Sequence, residues 1–239
     1  MASVCACGDY FNVSLDGELC LNPGTMGLRE IMYFNTPGAD QFRKSDYPWL
    51  ARIRVKVQAA GGGSGGARAS ANELISRPGG AGGGYSESLL TVDELGAVES
   101  VVVGAGGVGG VGNDPGTAGG DSSFGGIVTA LGGGPGTANM TSGTSLAVTN
   151  GISGPVAGMG QFVQGGGAGE GSFRLNGSSG LSGAGGDSML GFGGWGRSTT
   201  GVGGTSRGYG GGASGAFSVG EANNGTVGGN GMVIVELYG

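Results

Sequence analysis

The chain has 239 residues, of which 64 are glycine and seven are proline, and it carries a formal net charge of −6 with no histidine. With so little proline and no sustained G-X-Y period it is not collagen, and 37% hydrophobic against 12% charged residues sets it apart from disordered chains. An acidic chain repels phosphate backbones, so no nucleic-acid partner is expected.

Residues 1–30 read as a short attachment segment. Asp16-Gly17 separates Phe11–Leu15 from Glu18–Leu21, which predicts a hairpin, and Pro23-Gly24 marks a turn. Cys5, Cys7 and Cys20 all fall here. Their odd number argues against a disulfide framework. The Cys-x-Cys spacing and the missing fourth ligand argue against zinc, so no metal site is expected. The segment holds no apolar run of membrane-spanning length and no signal-peptide core, and no membrane partner is expected.

Residues 31–239 read as one glycine-rich domain. Its predicted strands are Ile31–Phe34, then Leu50–Ala59 after the turn at Thr36-Pro37-Gly38. In the second, Ile53, Val55 and Val57 alternate with Arg52, Arg54 and Lys56, the period of a half-buried strand with a solvated basic face. Tyr85–Val92 and Ala97–Val103 follow, joined by a turn at Asp93–Gly96; Ile127–Leu131 is a shorter candidate, and Met232–Tyr238 closes the series. No window keeps helical apolar spacing free of glycine. The best attempt, Ala69–Ser76, is short and ends at Arg77-Pro78.

Only five of the 64 glycines lie in residues 1–60, so the rest of the chain is about one-third glycine. Tracts such as Gly106–Val111, Gly165–Gly169 and Gly210–Ala213 lack the side chains for an ordinary core. They suit left-handed helices of the polyproline/polyglycine-II type, with three residues per turn and about 3.1 Å rise. Such helices have no internal hydrogen bonds. Inward glycines let neighbours approach and pair backbone to backbone. The expected fold is therefore all-β and irregular: short antiparallel strands bracketing a bundle of glycine-rich helices, with essentially no α-helix.

Several stretches, taken in order, carry a resemblance. These are Phe34–Gly38, Arg52–Gly63, Gly82–Val92, Ser100–Gly107, Gly119–Gly125, Ile127–Gly134 and Gly228–Tyr238. Together they resemble the glycine-rich domain of bacteriophage tail proteins, over residues 31–134 and 205–239; residues 135–204 depart from the pattern. The architecture is similar to polyglycine-II adhesins of T-even-type phages, and residues 1–30 resemble the start of minor tail proteins. The resemblance implies a virion structural protein on the exterior of the particle, a homotrimeric tail-fibre or tail-tip subunit. It would bind other virion proteins through residues 1–30 and a host-surface glycan or protein through variable loops. A head-fibre or capsid decoration protein is the first alternative. An ice-binding or cell-wall glycine-rich protein is the second, although Thr199, Thr200 and Thr205 show no regular array.

Motifs for chemistry are poor, and no enzyme or cofactor is expected. Gly104–Gly109 matches G-x-G-x-x-G, but the residues after it cannot open the helix that holds a pyrophosphate. The last lysine is Lys56, which excludes a P-loop, and the lack of histidine excludes Ser-His-Asp triads. Asp93-Glu94, Asp114 and Asp121 read as turn carboxylates. The informative exceptions are large side chains among small ones. Phe192, Trp195, Arg197, Arg207, Tyr209 and Phe217 are the expected receptor-binding residues, since aromatics and arginine dominate interface hot spots. The competing reading has them capping the bundle or packing between subunits. Met140, Leu146, Met159 and Phe162 are expected to pin loops in small apolar clusters.

Overall fold

A computed structural model describes residues 11–22 and 27–239. The predicted hairpin is present: Phe11–Val13 pairs antiparallel with Leu19–Leu21. Gly17 takes φ +82° at its turn, a backbone conformation that costs glycine little. Pro23-Gly24, Cys5 and Cys7 lie outside the described residues.

The remaining chain has three storeys. The first is a sandwich of two antiparallel sheets. One sheet orders its strands Phe162–Gln164, Tyr85–Thr91, Arg52–Gln58, Met232–Tyr238 and Leu28–Phe34; the other orders Val128–Ala130, Ser122–Phe124, Val98–Val103 and Gly38–Arg43. The alternation read in Arg52–Gln58 points Ile53, Val55 and Val57 inward, where they meet Val233, Val235, Val101, Phe124 and Phe42 in one buried cluster. The basic face points outward. Arg54 pairs with Glu87 and Lys56 with Glu236, and the Arg52 guanidinium lies 5.1 Å from the Tyr238 ring centre. Sequence reasoning missed the strand Gly38–Arg43, because only Phe42 of its residues is buried. The strand Leu28–Phe34 begins three residues inside the segment read as an attachment piece. Among the described residues, helical structure is confined to two single 3-10 turns, Lys44–Asp46 and Val92–Glu94.

The second storey is the glycine bundle. Strands leave the sandwich directly into glycine tracts, and the tracts bond mainly to one another, backbone to backbone. Residues 59–66 show the rule. The N–H groups of Ala60, Gly63 and Gly66 donate to Gly120, Thr117 and Asp114; those of Gly61 and Ser64 donate to Gly229 and Thr226; those of Ala59 and Gly62 donate to Gly84 and Ala81. Each neighbour is thus met at every third residue, the period of a polyproline-II helix. The carbonyls of the same tract accept from Gly107 and Gly110, from Gly133 and Gly136, and from Ala213. Six neighbouring tracts therefore surround this one. The three that accept its N–H groups run antiparallel to it; the tracts of Gly107–Gly110 and Gly133–Gly136 run parallel.

Glycine is obligatory in these tracts because of the close approach. A Cβ on Gly107 would lie 2.1 Å from the Thr117 carbonyl oxygen, and one on Gly110 would lie 2.0 Å from that of Asp114. Ala105, Val108 and Val111, one turn apart on the same tract, face solvent instead. This also explains the dinucleotide-like match: Gly104–Gly109 is a bundle helix whose Gly107 N–H donates to Gly61 rather than to a ligand.

Gln58 clasps the sandwich to the bundle. It is fully buried, its Nε2 is 3.0 Å from the carbonyls of Ala59, Gly83 and Gly84, and its Oε1 accepts from the Leu190 N–H.

The third storey closes the far end. Ala67–Arg68 pairs with Ala222–Asn223, Leu74–Ser76 with Phe217–Val219, and Ala147–Thr149, Ser172–Arg174 and Gly180–Leu181 form a three-stranded sheet. Eight residues of tract, 59–66, separate the sandwich from this tip, about 25 Å at 3.1 Å per residue.

Candidate functional site

The carboxylates read as turn residues serve the fold. Glu94 Oε2 accepts from the Thr91 N–H at 2.7 Å and the Thr91 hydroxyl at 2.9 Å, and these bonds hold its carboxyl below the usual range. Asp121 Oδ1 accepts from the Gly132 N–H at 2.7 Å. Among the described residues, no group of three or more histidine, cysteine, aspartate or glutamate side chains is placed to hold a metal ion. No helix among them is long and apolar enough to cross a membrane.

Of the six expected receptor-binding residues, the structure brings three together. Phe192 and Arg207 face each other across the short hairpin Gly191–Phe192 and Arg207–Gly208. The Arg207 guanidinium lies 4.5 Å from the Trp195 ring centre and 5.9 Å from that of Phe192. Trp195 is 70% and Phe192 64% exposed, so the stack stands open on the bundle flank. Trp195, Gly204, Thr205 and Arg207 line a shallow groove of about 200 Å³ beside it. An aromatic face backed by a guanidinium is a platform for flat, partly apolar ligands such as sugar rings or aromatic side chains. The glycine background is what opens it: Gly194 and Gly204, with no side chains of their own, carry backbone bonds to Gly212 and Ser214 and leave the rings uncovered.

The other three are placed differently. Phe217 is fully buried in the strand that pairs with Leu74–Ser76, so its expected role as a receptor contact is corrected: it is a core residue of the tip. The cue for exposure, an aromatic among small residues, does not separate an outward ring from one filling the end of the bundle. Arg197 folds back over Gly201, with its Nε buried and without a hydrogen-bond partner. Tyr209 is half-buried at the junction, where its hydroxyl accepts from Asn35 Nδ2 at 3.5 Å.

The residues expected to pin loops also divide. Met140 is buried, and its sulfur accepts from the Ser76 N–H at 3.4 Å; Phe162 packs edge-on to Tyr85 with ring centres 6.2 Å apart; Leu146 is 69% exposed and Met159 54%.

Sequence reasoning did not single out two buried arginines. Arg77, 1% exposed, donates from Nε to the Gly66 carbonyl at 2.7 Å, from Nη1 to the Met140 carbonyl at 2.7 Å and from Nη2 to Asn113 Oδ1 at 2.8 Å. It ties the ends of three tracts together. Burial pulls its pKa down to about 10, which still leaves it cationic at neutral pH. Arg174, 5% exposed, donates to the carbonyls of Ser145, Leu74 and Thr141. The signal available in the sequence was a lone arginine within a glycine- and serine-rich stretch.

The fold and site define an all-β class of protein: a β-sandwich base, a polyglycine-II stalk and a loop-bearing tip with an exposed aromatic–arginine platform. A family model described as a glycine-rich domain matches residues 43–238, and the chain belongs to that family. No curated protein matches the chain.

Proposed function

We propose that this protein is an exterior virion subunit of the tail-fibre or tail-tip kind, which attaches the particle to the host surface and performs no catalysis. The observation that carries the reading is the stack of Phe192, Arg207 and Trp195 held open on the flank of a glycine-rich bundle. A tract built to bond through its backbone needs no aromatic there. The separation of storeys supports the same reading. Leu28–Phe34, the strand that follows residues 1–27, lies in the sandwich, while the platform and the tip loops lie along and beyond the stalk, which supports separate sites for docking and recognition. The resemblance to phage tail proteins supplies the biological setting, and a homotrimer is the assembly it implies.

The test pairs a particle-incorporation assay with a pulldown of host cells. Removing residues 1–27, which precede the strand Leu28–Phe34 in the chain, should leave a folded protein that binds cells but no longer joins the particle. The combined change Phe192→Ala, Trp195→Ala and Arg207→Ala should incorporate normally and bind cells at least tenfold more weakly, about 1.4 kcal/mol or more. Should that variant bind cells as well as the parent while failing to assemble, the platform belongs to a subunit interface and the attachment reading fails.

A further inference from the structure

The tip holds a second, more enclosed recess. A cleft of about 390 Å³ opens beside the three-stranded sheet, and its lining includes Thr137, Asn139, Thr141, Val148, Asn150 and Arg174. Its volume falls in the range of small-ligand sites.

Its electrostatics are unusual for an acidic chain. Arg174 is buried and makes no ion pair among the described residues; its Nε and Nη1 are taken by backbone carbonyls. Its Nη2 makes no hydrogen bond among the described residues, and Arg174 lines the cleft. Arg77 lies behind the same wall. It grips the Met140 carbonyl while Arg174 grips that of Thr141, and it too is matched by neutral oxygens alone. Two cations without carboxylates at the end of a bundle bias this recess positive, because burial weakens screening by solvent.

Around the charged floor stand uncharged hydrogen-bonding groups, Asn139, Thr141 and Asn150, with Val148 exposed as an apolar rim. A free guanidinium nitrogen suits a carboxylate or similar anionic group. Amides and hydroxyls suit ring hydroxyls, and the valine suits the apolar face of a ring. The geometry points to a binding site for an acidic saccharide unit, a sugar bearing a carboxylate, with Arg174 receiving the acid group and Asn139, Thr141 and Asn150 the ring. This site is separate from the Phe192–Arg207–Trp195 platform and draws on the attachment reading only for the source of its ligand.

The experiment is an NMR titration of the purified protein with sodium D-glucuronate, with D-glucose and inorganic phosphate as separate arms. Glucuronate should shift the resonances of Thr141, Asn150 and the Arg174 side chain, and should bind at least tenfold more tightly than either other probe. Asn150→Asp, an exposed change that adds a negative charge at the rim, should weaken glucuronate at least tenfold with the melting temperature unchanged. Arg174→Gln should do the same where it folds; Asn150→Asp keeps the test valid where it does not. The proposal is overturned if glucuronate shifts nothing in the cleft, if glucose or phosphate binds as tightly, or if Asn150→Asp leaves glucuronate affinity intact. The cell pulldown with the platform variant is a separate measurement. A cleft that fails in this titration leaves that result standing, and the reverse also holds.

Discussion

Replacing Gly107 by alanine puts the polyglycine-II packing to its sharpest test. The added Cβ would stand 2.1 Å from the Thr117 carbonyl oxygen and 2.5 Å from the Gly63 nitrogen, both backbone atoms of neighbouring tracts that no rotamer change can move. To reach an ordinary contact of about 3.4 Å, one tract must retreat by roughly 1.3 Å. That retreat lengthens the bonds that hold the tract: Gly107 to Gly61 at 2.9 Å, Gly110 to Ser64 at 2.9 Å, Thr117 to Val108 at 2.9 Å and Gly228 to Gly107 at 2.9 Å. Each buried backbone group left unpaired costs about 1–3 kcal/mol. The loss of several is comparable to the whole stability of a domain, about 5–15 kcal/mol. Gly107→Ala should therefore lower the melting temperature by roughly 10 °C or more, and Gly107→Val or Gly110→Val should prevent soluble accumulation. The control is Ala105→Val, on the same tract but facing solvent, which should change stability by no more than about 0.5 kcal/mol. Soluble yield checks the two valine variants, and thermal melts followed by circular dichroism measure Gly107→Ala, Gly110→Ala and Ala105→Val. If Gly107→Ala and Gly110→Ala melt with the parent, the tracts are not close-packed, and the account of the stalk is wrong.

Arg77→Met should remove the tie at the tip: three oxygen acceptors lose a charged donor at about 1–3 kcal/mol each, so the melting temperature should fall by roughly 10 °C or more. Stability should also fall in acid. Burial alone would raise the Glu236 carboxyl, but hydrogen bonds from Lys56 and Tyr238 and the charges of Lys56 and Arg54 hold it below its ordinary 4.5. A depressed carboxylate stabilises the fold above its unfolded pKa, and the contribution is lost as pH falls through the folded value. Melting temperatures should thus be flat from pH 7 to about 5 and decline below 4.5, and Glu236→Gln should shrink the decline. Far-UV circular dichroism should show polyproline-II and β signals with negligible helix; a helix content above roughly a quarter would refute the fold, since glycine costs about 1 kcal/mol per helical position.

The bundle has a mechanical consequence under the proposed attachment role. A polyglycine-II helix leaves every donor and acceptor pointing sideways, so its rigidity comes from its neighbours. Gln58 at the base and Arg77 at the far end fasten the tracts where that support runs out. Loops and platforms mounted between two such fastenings are presented on a stiff element, which lowers the entropy cost of binding.

The sequence by itself determined the local alphabet of this protein. Alternation in Arg52–Gln58 and the apolar run in Met232–Tyr238 announced the central strands, Asp16-Gly17 announced the hairpin, and the density of glycine excluded helices and an ordinary core. In the structure, the three-residue period of Gly106–Val111 sets buried Gly107 and Gly110 apart from exposed Val108 and Val111. Partner choice was left to the tertiary structure. A polyproline-II helix makes no hydrogen bond within itself, so nothing local says that Gly63 donates to Thr117 or that Gly62 accepts from Ala213. The same gap hid the strand Gly38–Arg43, whose polar residues become a strand only because Val98–Val103 lies beside them. It also hid the fates of two rings from the same kind of stretch. Phe192 stands open and Phe217 is sealed, because one flanks the stalk and the other fills its end, where the tracts stop and the gap between them must be closed by a side chain.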